Sequence, residues 1–344
     1  MRKLLFPFSV LYDAITRLRN GLYDNHIFKP FQFDILTIGV GNLSVGGTGK
    51  SPHVDYLIEL LKNNYSVASL SRGYGRKSRG FILLDTEMKA AQVGDEPLMF
   101  KRKYPNIPVA VAENRVLGVV ELLSREEETN LVILDDVFQH RAIHPHIQIL
   151  LTTFEEPFFE DLLLPAGNLR ESRRGAERAD IIVVTKCSKQ ISSEQKLDYE
   201  TKLRKYNQTA LVCFSYIEYG TIRSVFSDEE SIENYDSLLA FAGIANPSSF
   251  FDYLQEKGTI ETSSFKDHHT YSVSDLEKMK SDFQNNTWIC TEKDAVKLIE
   301  YKSWFETNAI RLFYVPLKVK FLDTKFDNFV LDKTTALMQV IANS

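Results

Sequence analysis

The sequence predicts an α/β protein with a mostly parallel sheet flanked by helices, a second, smaller α/β domain and an N-terminal amphipathic helix. Short apolar runs alternate with helical patterns over most of the chain, which is typical of parallel strands covered on both faces. A second alternation begins near residue 238, after a polar and irregular stretch at 215–235. Apolar residues also recur at helical spacing near the N-terminus, at Phe8, Leu11, Ile15 and Leu18.

Composition limits the class of protein. A chain of 344 residues suits one large or two ordinary domains, and 44% hydrophobic with 25% charged residues is typical of a folded protein with a sizeable core. The net charge of −5 indicates no general affinity for nucleic acid, so we expect no nucleic-acid partner. The three cysteines are too scattered for a disulfide framework or a metal site, which favours a reducing compartment.

The first helix has two interpretations. Region 1–30 holds five basic and two acidic residues, and its apolar run is shorter than the roughly 18 residues that span a bilayer. No small-residue cleavage site follows the run, which argues against a signal peptide. A basic amphipathic helix suits an anionic membrane surface. The same pattern also suits a helix packed on the protein's own core, and the residues alone leave both open.

Strands and helices can be assigned in order along the chain. Apolar runs predict strands at 35–40, 66–70, 109–111, 131–134, 147–151 and 181–184. Helical patterns follow Lys50 and lie near 96–103 and 114–125. The second domain is predicted to contain strands at 238–243, 287–290 and 312–315. We therefore expect an N-terminal helical region at 1–30, a first domain at 31–220, a second at 221–330 and a C-terminal helix in 331–344 that returns to the first domain.

The segment GNLSVGGTGKSP at 41–52 carries the strongest signal in the chain. It joins an apolar strand to a helix, the layout of a phosphate-binding P-loop. Glycines let backbone N–H groups surround phosphate oxygens, while Lys50 reaches the β- and γ-phosphates and Ser51 can ligate Mg²⁺. Ser44 stands where the usual pattern has glycine. The predicted phosphate-binding residues are Ser44, Val45, Gly46, Gly47, Thr48, Gly49, Lys50 and Ser51.

An apolar strand at 131–134 ends in two carboxylates, Asp135 and Asp136. Beside a P-loop, such a strand typically presents an acid that holds Mg²⁺, and either aspartate fits the role. Gln139 follows closely and is predicted to lie near the same metal. His140 could do the same, although a structural histidine fits the pattern equally well.

Other polar segments are less specific on their own. Asp95 lies in a turn before a helix, where the pattern favours an N-cap over a proton-accepting base. The basic loop 71–80 contains Arg72 and Arg76, which suit an anionic substrate. Arg170 lies in a second basic loop and could offset charge on a transferred phosphoryl group. Ser188 replaces the aspartate that reads guanine in P-loop GTPases, which argues against guanine specificity.

Together these segments resemble the tetraacyldisaccharide 4′-kinase family of lipid A biosynthesis, over nearly the whole chain. Ser44 fits this family's form of the P-loop, and Val137 stands where the family more often has glycine. The stretches that carry the resemblance are GNLSVGGTGKSP (41–52), SRGYGR (71–76), GDEP (94–97), DDVFQH (135–140), PAGNLRE (165–171), DIIVVTK (180–186), FAGIANP (241–247), KDHH (266–269) and TEKDA (291–295).

The resemblance implies transfer of the ATP γ-phosphate to the 4′-hydroxyl of a tetraacylated glucosamine disaccharide 1-phosphate, with ATP and Mg²⁺ as cofactors. It implies peripheral attachment to the cytoplasmic face of the bacterial inner membrane, and it favours the membrane-anchor interpretation of the first helix. The family's acid–base pair falls on Asp95 and His268, which reverses the N-cap reading of Asp95. Because His268 lies in the second domain, we expect domain closure to complete the site.

The remaining roles follow from the same resemblance. Lys50 and Arg170 complete the predicted catalytic set, and Arg72, Arg76 and Asn42 are predicted to bind substrate. Two other classes stay open: a P-loop GTPase or metallochaperone, and a non-catalytic membrane-associated nucleotide-binding module. A nucleotide-preference assay discriminates the first, and lipid-dependent ATP turnover excludes the second.

Overall fold

The computed structural model describes residues 5–227 and 230–343. Its strands are β1 (Leu36–Asn42), β2 (Val67–Ser71), β3 (Ile82–Leu83), β4 (Val109–Val111), β5 (Leu131–Asp135), β6 (Ile147–Thr153), β7 (Ile181–Thr185), β8 (Leu211–Tyr219), β9 (Ile222–Ser224), β10 (Ser231–Ile232), β11 (Ser237–Ala242), β12 (Thr259–Ser264), β13 (Thr287–Thr291), β14 (Arg311–Val315) and β15 (Leu317–Phe321). Its α-helices are α1 (Phe6–Asp24), α2 (Lys50–Leu61), α3 (Ala90–Val93), α4 (Asp95–Lys103), α5 (Arg115–Leu123), α6 (Ser193–Arg204), α7 (Ser248–Gln255), α8 (Val273–Asp282), α9 (Glu292–Leu298), α10 (Lys302–Thr307) and α11 (Lys325–Ala342).

The larger sheet has nine strands in the order β15-β8-β7-β6-β1-β5-β2-β4-β3. Only the pairings β15–β8 and β3–β4, at the two edges, are antiparallel within this sheet. Strand β1 lies between β5 and β6, and Val40 pairs with Asp135. Because parallel strands end at one edge of a sheet, this register brings the loop after β1 beside the acids that end β5.

The apolar strands of this sheet are buried on both faces. Alternate residues of β5 point to opposite cores: Ile133 packs with Leu57 of α2 on one side, and Leu134 packs with Val119 of α5 on the other. Helix α11 covers the first side and inserts Phe326 into it. Burying each such side chain contributes roughly 1.5–3 kcal/mol. The sheet edge that carries the polar loops is thereby held between two packed layers of helix.

The smaller sheet has six strands in the order β10-β9-β14-β13-β11-β12. Strands β11 to β14 form its parallel part, and β9 and β10 add antiparallel edge strands. Trp288 is fully buried in its core, against Phe241 and Phe305. The two sheets with their helices confirm the predicted α/β class.

Three boundaries differ from those expected from the sequence. The stretch 215–235 is less irregular than predicted, since β8 extends to Tyr219 and short strands follow. Strand β15 pairs with β8 in the larger sheet, although the sequence placed this segment in the second domain. Helix α11 begins at Lys325, before the region 331–344 in which the sequence predicts it. In each case, pairing or packing with a segment distant in sequence decides where the strand or helix begins or ends. Local periodicity carries no information about such contacts.

Helix α1 is attached through polar contacts and turns its apolar face outward. The Ser9 hydroxyl donates to the carbonyl of Leu163 at 2.9 Å and accepts from the N–H of Ala166 at 3.0 Å. The predicted apolar face is exposed, at Phe8, Leu11, Ile15 and Leu18. Among the described residues, no helix has both the length and the apolar character required to cross a membrane.

Candidate active site

The P-loop connects β1 to α2 with a backbone that only glycine adopts without strain at two positions. Gly46 and Gly49 have φ values of 111° and 89°. Buried His53 fixes the second of these turns: its Nδ1 lies 2.7 Å from the carbonyl oxygen of Gly49, and its Nε2 lies 3.0 Å from the Ser215 hydroxyl. Burial lowers the pKa of His53 to about 4, so the ring is neutral and Nδ1 carries the donated proton.

Neighbouring segments hold the loop on its other side. The N–H of Val45 donates to the carbonyl of Asn168 at 2.7 Å, and Ser44 bridges to Leu169. The Thr185 hydroxyl donates to the carbonyl of Thr48 at 2.9 Å. The exposed rim of the loop is left to Val45, Gly46 and Gly47. An anion can therefore approach the loop amides from solvent while the loop backbone stays fixed.

Lys50, Asn42, Arg170 and Asp136 form one charged cluster at the ends of β1 and β5. The guanidinium of Arg170 donates to Asp136 Oδ1 at 2.8 Å and Oδ2 at 3.2 Å, and also to the side chain of Asn42. Lys50 Nζ lies 3.3 Å from Asn42 Oδ1 and 3.7 Å from Asp136 Oδ1. Burial alone raises the pKa of Asp136, but Arg170 and Lys50 outweigh it and lower the pKa to about 2. Two cations and one stable carboxylate are thus gathered beside the loop.

Asp135, the acid that precedes Asp136, has a pKa shifted in the opposite direction. Burial, followed by the negative charges of Glu96 and Asp136, raises the pKa of Asp135 to about 7. Its Oδ1 atom is buried and lacks a hydrogen-bond partner within the described part of the chain. Glu96 also interacts with the Ser51 hydroxyl. Carboxylate and hydroxyl oxygens, such as those of Asp135 and Ser51, are ligands of the kind that Mg²⁺ prefers.

The donor set therefore fits a magnesium ion. In residues 5–227 and 230–343, no three His, Cys, Asp or Glu side chains are grouped to hold a metal by themselves. This agrees with the chemistry of Mg²⁺, which usually takes one or two carboxylates and completes its shell with water and substrate phosphates.

Asp95 and His268 come together across the two sheets. Asp95 begins α4 beside the larger sheet, whereas His268 lies after β12 of the smaller one, and His268 Nδ1 is 2.8 Å from Asp95 Oδ2. His268 has a φ of 56° and its N–H donates to the carbonyl of Gly243 at 3.1 Å. The pair is already assembled in this conformation, so the expected domain closure is not needed to form this contact.

The contact between Asp95 and His268 shifts the pKa of both side chains. Burial alone raises the pKa of Asp95, but the hydrogen bond from His268 and the charge of Lys293 hold it below its usual value. The hydrogen bond to Asp95 raises the pKa of His268 against the effect of burial. Asp95 is therefore ionised at neutral pH, as a proton acceptor must be.

Three predicted residues have contacts that bear on their roles. The guanidinium of Arg76 is nearly buried and bonds Glu113 and the carbonyl of Gly80, which indicates that it holds the loop 71–80. Arg72 is exposed at the end of β2 and stays a predicted substrate contact. Gln139 donates through Nε2 to the Asn42 carbonyl at 2.8 Å and to Glu171 at 2.9 Å. A ligand role for its oxygen stays a prediction.

Two further lysines border this site; they lie in the stretches TEKDA (291–295) and DIIVVTK (180–186) that carry the family resemblance, but neither is among the predicted site residues. Lys293, at the start of α9, forms an ion pair with Glu96 across the two sheets. Its position just after a parallel strand was the available signal, but the partner could not be read from the sequence. Lys186 follows β7 with a φ of 56°, and burial lowers its pKa. Its ammonium group lies near Gly47 of the P-loop, so it borders the same surface.

Comparisons with known proteins agree along the whole chain. The family model described as Tetraacyldisaccharide-1-P 4'-kinase matches residues 1–335. A tetraacyldisaccharide 4'-kinase of Flavobacterium johnsoniae is 44% identical over 327 residues, which is 94% of each chain. One of Bacteroides thetaiotaomicron is 38% identical over 351 residues, covering 96% of this chain and 91% of the relative.

A solved structure extends the likeness to three dimensions. The crystal structure of LpxK from Aquifex aeolicus in complex with ATP superposes with a TM-score of 0.76 at 30% identity, covering 97% of this chain and 99% of that one. The chain therefore belongs to the tetraacyldisaccharide-1-P 4'-kinase family.

Proposed function

We propose that the protein transfers the γ-phosphate of ATP to the 4′-hydroxyl of tetraacyldisaccharide 1-phosphate in lipid A biosynthesis. The observation that carries the proposal is the pairing of Asp95 with His268 beside a P-loop. A phosphate cradle alone fits any nucleotide-binding protein, whereas an ionised, buried carboxylate next to it fits an alcohol acceptor. The relatives named tetraacyldisaccharide 4'-kinase supply the acceptor's identity.

The residues of the loop bind and orient the phosphates of ATP. The loop 44–51 would surround the phosphates, and Lys50 would leave its contacts with Asn42 and Asp136 to reach the terminal phosphates. Arg170 lies on the same carboxylate and offsets negative charge that grows on the γ-phosphoryl oxygens. Asn42 keeps both cations in place between turnovers.

Ser51, Asp135 and Asp136 are the residues that would hold Mg²⁺, with the amide oxygen of Gln139 as a further candidate. When bound there, the ion would offset negative charge on the phosphates of ATP. The raised pKa of Asp135 supports this assignment, because a carboxylate that is costly to ionise alone becomes favourable beside a divalent cation.

Asp95 accepts the proton of the attacking hydroxyl, and His268 keeps the carboxylate ionised and oriented. General-base assistance of this kind is typically worth about 10²–10⁴-fold in rate. Exposed Tyr74 lies beside His268 at a tilt, with ring centroids 5.2 Å apart, and offers a surface for a sugar ring. Arg72 is the candidate for the 1-phosphate of the substrate, with Arg76 and Asn42 supporting the loops around it.

The outward face of α1 supports peripheral binding to a membrane. Its exposed apolar side chains have no partner in the described protein that would cover them, and basic Arg17 and Arg19 lie on the same helix. This composition suits insertion into an anionic lipid surface. A four-chain lipid substrate stays in the bilayer, so we assign the protein to the cytoplasmic face of the bacterial inner membrane.

The proposed organisation assigns 1–30 to membrane association, 31–220 to the P-loop domain and 221–330 to the smaller domain, with 331–344 packed on the first. Strand β15 changes the proposed end of the smaller domain at residue 330, because this strand returns to the larger sheet before α11 begins. The predicted site then lies where the two domains meet.

The decisive experiment incubates the purified protein in detergent micelles with γ-labelled ATP, Mg²⁺ and tetraacyldisaccharide 1-phosphate. Lys50→Ala tests the site, and Lys62→Ala is the matched control, since Lys62 follows the far end of α2. We expect labelled bisphosphorylated lipid from the unmodified and Lys62→Ala proteins only. ATP or GTP hydrolysis without lipid labelling would instead support the GTPase-like alternative, and nucleotide binding without turnover would support a non-catalytic module.

A further inference from the structure

Glu171 is a buried carboxylate that three separate segments bind. Its side chain is fully buried, with 0% exposed. Oε1 accepts from Gln139 Nε2 and from Arg178 Nη2, both at 2.9 Å, and Oε2 accepts from Asn20 Nδ2 at 3.0 Å. These donors come from α1, from the loop after β5 and from a 3₁₀ segment. Glu171 therefore connects three parts of the chain, unlike an ion pair at the surface, and we call Glu171 with its three donors the junction.

The junction continues directly to the phosphate site. Gln139 uses the same amide nitrogen to donate to the carbonyl of Asn42 at 2.8 Å. That carbonyl also accepts from Arg170 Nη2 at 3.0 Å, and the Asn42 side chain contacts both Arg170 and Lys50. Glu171 also follows Arg170 in the chain. Displacement of Glu171 would therefore move the catalytic arginine through the backbone and through Gln139.

Helix α1 reaches this junction at three points. Besides Asn20, the hydroxyl of Tyr12 donates to the carbonyl of Arg170 at 2.8 Å, and Arg19 donates to the carbonyl of Gln139 at 3.4 Å. These contacts lie on the inner face of a helix whose outer face is exposed and apolar. The helix that meets the lipid surface thus also supports the backbone of the residues that handle phosphate.

We propose that Glu171 is a positioning residue that couples the seating of α1 to the geometry of Arg170 and Asn42. This inference rests on the proposed function. With Asn20 in place, Glu171 orients Gln139 and so fixes the Asn42 carbonyl. Without it, one carboxylate oxygen loses its donor and Glu171 rotates toward Arg178. Arg170 then loses alignment with the phosphate site, and turnover falls although ATP and lipid still bind.

The first test compares Asn20→Leu with Ser9→Ala. Both residues anchor α1 through hydrogen bonds, but Ser9 contacts Leu163 and Ala166 and does not touch Glu171. We expect Asn20→Leu to lower kcat about tenfold, as small misplacements of catalytic groups do, with KM for ATP and vesicle binding within about twofold. Ser9→Ala should keep kcat within about twofold. Equal kcat losses in both variants, or none in Asn20→Leu, would overturn the coupling.

The second test exchanges the chemistry of the contact. Asn20→Asp places a second carboxylate against Glu171, and we expect it to lose at least as much kcat as Asn20→Leu. Adding Glu171→Gln lets the new amide donate to Asp at position 20 while its oxygen still accepts from Gln139 and Arg178. We expect this double variant to recover most of the lost kcat.

The outcome of the exchange separates coupling from stability. If Asn20→Asp with Glu171→Gln is no more active than Asn20→Asp, the junction does not act through this contact and the inference is wrong. The same micelle assay contains the unmodified protein. If that protein fails to label lipid, the proposed function fails; if it labels lipid and the variants match it, only the coupling fails.

Discussion

At the residue scale, the neighbours of the Asp95 carboxyl together outweigh its burial and lower its pKa. Burial favours the protonated form of this acid, and the hydrogen bond from His268 is the first influence that opposes it, followed by the charge of Lys293. The same bond raises the pKa of His268. Asp95, which we propose as the base, is thus kept ionised with help from a residue of the other sheet.

Removing His268 should move the acid limb of the pH–rate profile to higher pH. In His268→Ala the pKa of Asp95 rises, so the base is protonated and inactive at pH values where the unmodified enzyme still works. The measurement is kcat/KM for the lipid against pH. His269→Ala is the matched control, because His269 faces Asp275 at 3.4 Å. An unshifted limb in His268→Ala would show that Asp95 is not the titrating base.

Asp135 should make the metal-free protein less stable as pH rises. Its folded pKa of about 7 lies above the ordinary value of about 3.9, so the folded state holds the proton longer than the unfolded state. The free energy of unfolding therefore falls between about pH 4 and about pH 7, and Asp135→Asn removes that loss.

The measurement is the melting temperature against pH in the presence of a chelator, with exposed Asp332→Asn as the control. At a pH above 7, Mg²⁺ should raise the melting temperature of the unmodified protein by on the order of a few degrees, and that of Asp135→Asn by less. An equal response of both proteins to Mg²⁺ would remove Asp135 from the metal site.

Motif spacing was enough to predict that Lys50, Ser51 and Asp136 share one edge of a sheet, since each lies next to the carboxyl end of a strand. It could not predict the pairing of Glu96 with Lys293, which joins residues 197 positions apart. Nor could motif spacing show that the Arg76 guanidinium forms an ion pair with Glu113. A basic residue in a glycine-rich loop has the same local pattern whether it binds substrate or its own loop.

At the scale of elements, helical spacing predicted the apolar face of α1 but not its direction. Ser9, Tyr12 and Asn20 lie on the opposite face and bind the protein through hydrogen bonds. An amphipathic pattern usually indicates a helix whose apolar face packs on the protein core. In α1 the polar face contacts the protein instead. The extents of β8, β15 and α11 were similarly decided by tertiary pairing, which a local pattern does not contain.

A charge on the outer face of α1 should weaken membrane binding specifically. Leu11→Glu removes an exposed leucine from the lipid-facing side, and we expect at least about a tenfold loss in partition to anionic vesicles, since a buried leucine is worth roughly 1.5–3 kcal/mol. Val340→Glu on α11 makes the same kind of change at a similarly exposed site, 65% against 62%. Sedimentation with vesicles measures both. Equal losses would mean that net charge, and not α1, controls binding.

At the scale of the whole molecule, the two sheets meet through Val296, which packs into the core of the larger sheet, and through a set of polar contacts. His268 bonds Asp95, Lys293 bonds Glu96, and Arg102 Nη1 donates to the carbonyl of Val296 at 2.6 Å. These contacts all connect α4 with the smaller domain. The proposed catalytic pair is therefore only as well ordered as this interface.

Breaking the Lys293–Glu96 pair should loosen the interface and slow catalysis together. Lys293→Gln leaves the Glu96 carboxylate partly buried without its cation, at a cost of roughly 1–3 kcal/mol, below that of a fully buried pair because both side chains keep some solvent contact. Hydrogen exchange should then rise around His268 and kcat should fall. Lys302→Gln, which removes an exposed lysine near Glu306, should change neither. Faster exchange with unchanged kcat would mean that the order of the interface does not limit turnover. The charge of Lys293 also lowers the pKa of Asp95, so Lys293→Gln can reduce kcat by protonating Asp95. A fall in kcat is therefore assigned to the interface only if it persists at a pH above the acid limb of the pH–rate profile.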